Sequence, residues 1–329
     1  VISRVTTGSI ASGATLTVDY TYLKPSGVTS TDILGGIDGT TGALTGLELI
    51  NAVYPLYGKV PGVFLAPKWS TDSTVAAIMK AKVTNINGIF KAMALVDVPT
   101  GTVKKYSDVN AWKNTNNYTA ESEAVCWPKV KLGNYQMHLS TALAGIMADT
   151  DYGNGDVPYV SPSNHDLNAV GAVLADGTAV NLGLDSAAYM EGIGVVTAIN
   201  FSGGWKAWGN RTGCYPSNTD PKDSFIPCRR MMNWIANTLI LTFFSKVDAP
   251  LNRRLIDTVV DSANIWLNGL TAAGYIIGGH VDFNEAENPT TSLMDGIAKF
   301  HVYVTPATPA REIDFVLEYD PTALAALFS

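Results

Sequence analysis

The side chains that most often carry chemistry are few in this sequence and far apart. Three cysteines have no zinc-ligand spacing, and an odd number cannot form a complete disulfide framework. We expect free thiols, with a Cys214–Cys228 bridge as the alternative. The histidines lack metal-pair spacing too, and hydrogen-bonded or surface roles are expected of them. They are His138, His165, His280 and His301. No metal or cofactor is predicted.

Sequence motifs of known catalytic and nucleotide-binding sites are also missing. There is no Gly-x-Ser-x-Gly elbow, no phosphate-binding Gly-x-x-x-x-Gly-Lys run, and no Gly-x-Gly-x-x-Gly after a strand. An acidic loop at residues 149–164 resembles a calcium loop only in part. With Asp149 at position 1, Asn154 replaces the required glycine and Val160 replaces the bidentate glutamate. We interpret it as a turn rich in Asp and Asn, and predict no catalytic residue in the chain.

Two arginine pairs lie at the starts of predicted helices. Arg229-Arg230 and Arg253-Arg254 occupy the end of the helix dipole that disfavours cations. Arginines placed there usually have carboxylate partners. Each pair is either solvated at the surface or forms ion pairs between subunits. Arg229 and Arg230 are the candidates for such contacts between subunits.

The composition of the chain is apolar and weakly charged, which limits the kinds of element and surface that it can form. Of the 329 residues, 47% are hydrophobic and only 16% are charged, which indicates either a Ser/Thr/Asn/Gly surface or burial in partners. The net charge of −7, without a basic run, argues against nucleic-acid binding. The longest apolar run, around 235–244, is too short to span a bilayer. Because the chain starts at Val1, we expect a preceding segment to be missing.

The middle of the chain alternates strands with helices. Apolar runs at residues 62–67, 92–99 and 124–128 are typical of strands buried on both faces, and helical patterns lie between them. We predict an α/β middle domain over 35–200, with a mainly parallel sheet flanked by helices. Residues 1–34 form a partial β-rich segment, in which 15–22 are predicted to be a half-buried strand.

The last domain, residues 201–329, is predicted to have an α+β architecture, with two long helices packed on a small sheet. The helix over 228–245 is apolar on most sides and is therefore expected to be central and buried. The helix over 249–270 is amphipathic, with Asp248 as its N-cap. Three strands follow it, and Tyr275, Ile277 and Val281 share one parity.

The end of the chain combines a strand pattern with an apolar tail. In residues 311–319 an apolar face alternates with a more polar one, and Pro321 then ends the strand. The tail is too short for a stable isolated helix, so it must dock on its own domain or on a neighbour. The candidate contacts between subunits here are Ile313, Phe315, Leu317, Tyr319, Leu324, Leu327 and Phe328.

One motif resembles a known family. Trp208-Gly209-Asn210-Arg211-Thr212 is similar to the Trp-Gly-x-Arg-Thr signature that opens the C-terminal domain of contractile tail sheath proteins. Other matching positions follow in order: 66–67, 96–99, 161–164 and 309–313. The resemblance covers residue 35 to the end, and its family motif residues are Trp208, Gly209, Arg211 and Thr212.

The resemblance implies a structural protein of a phage, a prophage or a phage-tail-like particle, assembled in the host cytoplasm. Sheath subunits form hexameric rings stacked around a tail tube, and contraction drives the tube through a cell envelope. The implied partners are other sheath subunits, six per ring, the tail tube protein, the baseplate and the tail terminator, with no nucleic acid and no membrane insertion. Terminal arms add strands to neighbours' sheets, although an N-terminal arm is not evident here. The alternatives are a hydrolase built on the α/β domain, and a shell or adhesin-type structural protein.

Overall fold

The computed structural model describes residues 7–11 and 13–328, without the side chains at 325 and 328. Its strands are β1 Gly36–Ile37, β2 Leu44–Thr45, β3 Val63–Leu65, β4 Met93–Asp97, β5 Glu123–Cys126, β6 Lys129–Leu132, β7 Tyr135–His138, β8 Gly171–Val173, β9 Val195–Asn200, β10 Trp205–Trp208, β11 Ile276–Asp282 and β12 His301–Pro306. Its helices are α1 Ser30–Leu34, α2 Ile50–Tyr57, α3 Ser73–Val83, α4 Tyr106–Thr115, α5 Leu139–Gly153, α6 Leu184–Gly192, α7 Pro221–Ser224, α8 Ile226–Phe243, α9 Arg253–Ala272 and α10 Thr290–Met294.

A five-stranded sheet in the order β10-β9-β5-β4-β3 forms the centre of the molecule. Strands β3, β4, β5 and β9 are parallel, and β10 joins antiparallel to β9. Every residue of β4 and β5 is buried, because helices cover both faces of the sheet. The predicted mixed α/β architecture is therefore confirmed. The predicted burial of β3 on both faces is wrong, because β3 is the edge strand and only half-buried.

Smaller sheets flank this core. Strand β6 pairs antiparallel with β7 and β8, and β1 pairs with β2. The sequence did not indicate the β6–β7 hairpin, whose exposed face lacks a clean apolar alternation. Helix α5 continues through Gly153, so the first part of the predicted acidic loop is helical.

A second hydrophobic cluster lies between α8, α9 and the two-stranded sheet β11–β12. Its centre includes Met231 and Ile235 of α8 and Leu267 of α9, all buried. Ile226, at the start of α8, belongs instead to the core of the central sheet, so this helix connects the two clusters. The predicted central, buried position of the helix over 228–245 holds only for its first two-thirds, because Leu241 and, just after α8, Phe244 are exposed.

Two predictions about the C-terminal domain are corrected by backbone geometry. Asn252 caps α9, since its side chain accepts a hydrogen bond from the Leu255 amide at 3.0 Å, and Asp248 does not. A β-bulge between Ile276 and Gly278 shifts the register of β11. Ile276 is therefore buried and Ile277 exposed, the reverse of the predicted parity. Two strands, not three, follow α9 in the described part of the chain.

The two ends of the chain differ most from the sequence prediction. Residues 15–22 and 311–319 both have strand-like alternation, yet neither segment pairs with a strand among the residues described. Residues 321–328 form a 3-10 helix. The predicted strands are absent because a strand requires a hydrogen-bonded neighbour, and the rest of the fold leaves none beside these segments.

Candidate assembly interface

The motif at 208–212 forms the joint between the central sheet and α8. Gly209 has φ 120°, and a Cβ atom there would meet the Val195 carbonyl oxygen at 3.0 Å. Its amide donates to Ser163 Oγ at 3.0 Å. A residue with a side chain does not fit this position, so the glycine allows the chain to leave β10 directly over β9.

Arg211 is held between two aromatic rings. Its guanidinium carbon lies 3.7 Å from the Phe225 ring centroid and 4.3 Å from that of Tyr215. Nη1 donates to Ser224 Oγ at 2.8 Å. Burial lowers the pKa of Arg211, and the nearby charge of Arg311 lowers it further. The stacked, hydrogen-bonded guanidinium fixes the turn that leads into α7 and α8.

Thr212 completes the joint. Its buried hydroxyl donates to the Asp223 carbonyl at 2.7 Å, and its amide donates to the Ser224 carbonyl at 3.0 Å. The Ile226 amide in turn donates to the Asn210 carbonyl at 2.8 Å. The motif is thus mainly an internal structural element that sets the position of α8: residues 209–212 are buried, and Trp208 is half-buried.

The arginine pair at the start of α8 has its carboxylate partners within the same chain. Arg229 Nη1 contacts Asp223 Oδ1 at 3.1 Å. Arg230 forms a two-point ion pair with Asp151 at the end of α5, with Nη1 3.1 Å from Oδ1. The expectation of carboxylate partners is right, and the partners found lie within the same chain, while ion pairs between subunits stay a prediction. The fold brings the end of α5 back onto α8, which sequence spacing does not indicate.

Two asparagines on α8 attach this helix to the central sheet. Asn237 exchanges two hydrogen bonds with the backbone of Lys91, from Nδ2 to the carbonyl at 2.7 Å and from the amide to Oδ1 at 3.0 Å. Asn233 Nδ2 donates to the Ala92 carbonyl at 3.2 Å. Sequence reasoning missed both residues. The sequence does contain a signal for them, because polar residues four positions apart in an apolar helix need hydrogen-bond partners when they are buried.

The nearest approach to a hydrolytic arrangement surrounds Asp97 at the end of β4. Ser140 Oγ donates to Asp97 Oδ2 at 2.5 Å, Ser70 Oγ donates to it at 3.3 Å, and His138 Nδ1 lies 3.4 Å away. A serine nucleophile requires a general base, most often a histidine, on its hydroxyl. Here both serines are fully buried and bond to the carboxylate instead. The cluster connects β4 to the start of α5, where the Ser140 amide also donates to Asp97.

A buried lysine and a buried glutamate lie close to the joint. Lys113 Nζ donates to the carbonyls of Ile193 at 2.6 Å and Tyr215 at 2.9 Å, and burial lowers its pKa to about 8. Burial raises the pKa of Glu123 to about 7. Glu123 accepts a hydrogen bond from the Ala120 amide, and its own carbonyl accepts one from Gly213. Through these hydrogen bonds, the two residues support the backbone next to the motif.

Cysteine and metal chemistry are not supported by the described side chains. The thiols of Cys126, Cys214 and Cys228 are free and buried, which confirms the expected free thiols. Within the described residues no three His, Cys, Asp or Glu side chains come together as a group able to hold a metal ion. In the same residues no helix has both the length and the apolar character needed to cross a membrane.

Large apolar side chains are exposed on both terminal segments. We name residues 311–319 the C-terminal arm and residues 15–22 the N-terminal arm. In the C-terminal arm Phe315 is 86% exposed and Leu317 is 95% exposed. Ile313, Tyr319, Leu324 and Leu327 are exposed as well, and the side chain of Phe328 lies outside the described residues. On the N-terminal arm the apolar side chains at alternate positions are also exposed. They are Leu16, Val18, Tyr20 and Tyr22.

The sheet β11–β12 provides a complementary surface. Neither strand pairs with a third strand in the described structure. Beside β12, a groove of about 670 Å³ opens between α8, α9 and the segment before the strand. Apolar side chains dominate its walls, among them Leu255 and Val259 of α9 and Phe300 and Val302 at β12. A single chain therefore has two apolar segments without a strand partner and a two-stranded sheet without a third strand among the described residues.

Comparison with solved structures identifies the class. The fold is similar to a chain of the anti-feeding prophage baseplate, with a TM-score of 0.65 and 18% identity over 87% of this chain and 74% of that one. It is also similar to the PVC sheath complex of an extracellular contractile injection system in its contracted state, with a TM-score of 0.67 and 20% identity over 85% and 76%. The chain thus shares its fold with chains of these two assemblies.

Sequence comparison then gives the family. No family model matches the chain. The tail sheath protein of Burkholderia phage BcepMu is 30% identical over 342 aligned positions, covering 99% of this chain and 69% of that protein. The major tail sheath protein of Serratia phage KSP20 is 31% identical over 136 positions, 41% of this chain and 33% of that protein. The chain belongs to the tail sheath protein family and is a structural component of a contractile tail.

Proposed function

We propose that this chain polymerises through its two arms, each of which adds a strand to a sheet of a neighbouring subunit. The observation that carries the proposal is the coexistence of two strand-like segments without partners and the two-stranded sheet β11–β12. Strand addition forms backbone hydrogen bonds, and alternate side chains set the register. Exposed apolar faces of this size are disfavoured in an isolated protein and are typical of assembly surfaces.

The assembled state consists of hexameric rings stacked as a helix around a tail tube. The six-fold symmetry of the anti-feeding prophage baseplate and the contracted state of the PVC sheath support this arrangement. The subunits contact other copies in the ring, and the ends of the sheath contact the baseplate and the tail terminator. Contraction drives the tube through a cell envelope, and assembly takes place in the host cytoplasm. The arm connections persist through contraction because the segments around them bend.

The proposed organisation has three parts: residues 1–34, 35–200 and 201–329. The boundary at 200 falls in the turn between β9 and β10, and β10 remains hydrogen-bonded to the central sheet. The motif at 208–212 follows directly, so the C-terminal part begins where the chain leaves that sheet. No enzymatic reaction is proposed, since the serines nearest to a histidine bond to Asp97 and are buried.

The test removes the C-terminal arm and compares folding with assembly. A chain lacking residues 310–329 is expected to melt like the full chain, because the arm's apolar side chains are exposed and leave no cavity. Electron microscopy is expected to show loss of tubes. A second variant, Phe315→Asp/Leu317→Asp, keeps the length and should also fail to assemble.

The matched control is Tyr152→Asp, the same kind of change at an exposed aromatic residue on α5. This variant should form tubes. Normal tubes from the arm deletion would refute arm exchange, and a large fall in the melting temperature of the deleted chain would place the arm in its own domain's core.

A further inference from the structure

Apolar side chains are exposed around the end of α8, on the side of the helix that faces α2. Phe244 is 67% exposed, and Ile89 and Leu241 are exposed as well. Together with Tyr54 of α2 they line a cavity of about 230 Å³, which we name the α2–α8 cavity. Exposed apolar side chains that surround a cavity are typical of a surface that binds another protein.

The shape of the α2–α8 cavity is fixed by hydrogen bonds and ring contacts. The turn at 86–90 is closed by two hydrogen bonds between the backbones of Ile86 and Phe90, both of 2.9 Å. The Asn51 side chain of α2 accepts a hydrogen bond from the Asn87 amide at 3.0 Å. The rings of Tyr54 and Phe90 lie 4.9 Å apart. A surface held in this way loses little conformational freedom when it binds a partner.

Two lysines lie on one side of the α2–α8 cavity. Leu241 also lines a neighbouring pocket of about 500 Å³, and Lys59 and Lys91 line that pocket too. Both lysines are exposed, and neither forms an ion pair within the described part of the chain. Besides the ion pair of Arg230 described above, the pocket contains one carboxylate, Asp156. The cavity therefore has an excess of positive charge on this side.

The segment around α10 has the complementary character. We name residues 284–297, which lie between β11 and β12, the α10 tip. Met294 is 83% exposed, and Ile297 is exposed as well. Glu285 and Asp295 are exposed carboxylates, and neither forms an ion pair among the residues that the structure describes. Apolar side chains accompanied by carboxylates match an apolar cavity that has lysines beside it.

The α10 tip also has a fixed shape. The Asn288 side chain donates to the carbonyls of Asn284 and Lys299, both at 2.8 Å, and accepts from the Lys299 amide at 2.7 Å. The Ile297 amide donates to the Ser292 carbonyl at 2.9 Å. These hydrogen bonds hold both ends of the tip together, so its exposed side chains are presented on a rigid support.

A single chain does not bring its own tip to its own cavity. Ile240 of α8 lines both the α2–α8 cavity and the apolar groove beside α9. Asp295 and Gly296 of the tip line the groove and not the cavity. The two surfaces therefore lie on different sides of the end of α8, and a second copy is needed to pair them. Because the paired surfaces differ, repeating the contact extends subunits into a ring or a helix.

We propose that the α10 tip of one subunit docks in the α2–α8 cavity of another, with its apolar side chains against Leu241 and Phe244 and its carboxylates beside Lys59 and Lys91. The contact involves neither arm and no strand pairing, so it is additional to arm exchange and does not rest on it. A contact of this size is weak on its own, and it gains strength because it is repeated between many linked copies.

Cross-linking between two different variants of the full chain tests the contact. A tagged chain with Phe244→Cys and an untagged chain with Met294→Cys are mixed under assembly conditions and treated with a short thiol-reactive cross-linker. The three natural thiols are buried. We expect a covalent dimer of the two chains, because docking raises the local concentration of one thiol near the other. With Tyr152→Cys, at an exposed residue of α5, in place of Phe244→Cys, the yield should be roughly tenfold lower.

An exchange of charges tests the polar part of the contact. Lys59→Glu/Lys91→Glu should raise the chain concentration needed for tube formation by roughly threefold to tenfold in low salt, and by less in high salt. Glu285→Lys/Asp295→Lys should have the same effect. The variant with all four changes should assemble like the original chain, because attraction is restored with the signs reversed. Lys105→Glu, at an exposed lysine before α4, is the control and should leave assembly unchanged.

The outcomes separate this contact from arm exchange. Tubes that form normally without the cross-linked dimer overturn the contact and leave arm exchange standing. A cross-linked dimer whose yield equals that of the Tyr152→Cys control overturns it as well. A variant with all four charge changes that assembles no better than either double variant contradicts the pairing of lysines with carboxylates. Thermal melting of each variant shows whether it is folded, so that a loss of assembly is not mistaken for unfolding.

Discussion

Gly209 occupies a position where the backbone and its neighbour leave no room for a side chain. With φ 120° and the Val195 carbonyl oxygen 3.0 Å from where a Cβ atom would lie, Gly209→Ala introduces both backbone strain and a close contact. The free energy of unfolding should fall by about 2–3 kcal/mol, as is usual when a residue other than glycine is forced into a glycine-only region. Urea denaturation measures the change.

Another glycine gives the matched control. Gly269, inside α9, has no neighbouring atom within 4 Å of a Cβ position and has helical backbone geometry. Gly269→Ala should stabilise the chain by about 0.5–1 kcal/mol, since alanine is the better helix former. If both substitutions changed stability equally, the special backbone at Gly209 would have no energetic role.

Glu123 makes stability depend on pH in a defined window. Because burial raises its pKa to about 7, the folded state holds a proton that the unfolded state releases near pH 4.5. Stability therefore decreases as pH rises from about 4.5 to about 7, by roughly 3 kcal/mol at most, and the loss is complete above that range. Glu123→Gln should flatten this part of the stability profile. An unchanged slope in the variant would show that other groups produce it.

At the scale of elements, helix α8 depends on polar contacts as much as on apolar packing. Asn237→Ala leaves the Lys91 amide and carbonyl without their partner, which should lower stability by about 1–3 kcal/mol. Thr238→Ala is the neighbouring control, because the Thr238 hydroxyl bonds only within its own helix, to the Trp234 carbonyl. Thermal melting of both variants makes the comparison. Equal melting temperatures of the two variants would show that apolar contacts alone hold α8 in place.

The sequence predicted the interior elements well because each contains its own signal. Strands β4 and β5 are mostly apolar and buried, and α9 is amphipathic, so burial decides their conformation. The errors lie where a distant group decides. Asn252 replaces Asp248 as the cap, and a bulge at Gly278 reverses the faces of β11. The partner of Arg230 within the same chain was missed for the same reason, because Asp151 lies 79 residues away in the sequence.

The arms show the same limit for the candidate interface. Alternation at 311–319 predicts one apolar face, but the sequence does not specify whether the partner strand lies in the same chain. In the structure no such partner is present among the described residues, and the side chains of Phe315 and Leu317 stay exposed. Under the proposed arm exchange the missing information belongs to the assembly, because a second copy completes the strand.

For the whole molecule, the proposed arm exchange makes each subunit both a donor and an acceptor. On that proposal, a chain without residues 310–329 keeps the sheet β11–β12 and can accept an arm, but it cannot donate one. Added in small amounts to full-length chains, it should join growing assemblies and prevent the next connection. Mean tube length in electron micrographs should fall as its molar fraction rises, while the same extra amount of full-length chain should leave the length distribution unchanged. If the truncated chain stayed outside the tubes and the lengths were unaffected, the sheet β11–β12 would not be the acceptor, because an acceptor sheet left intact must still bind the arm of a neighbour.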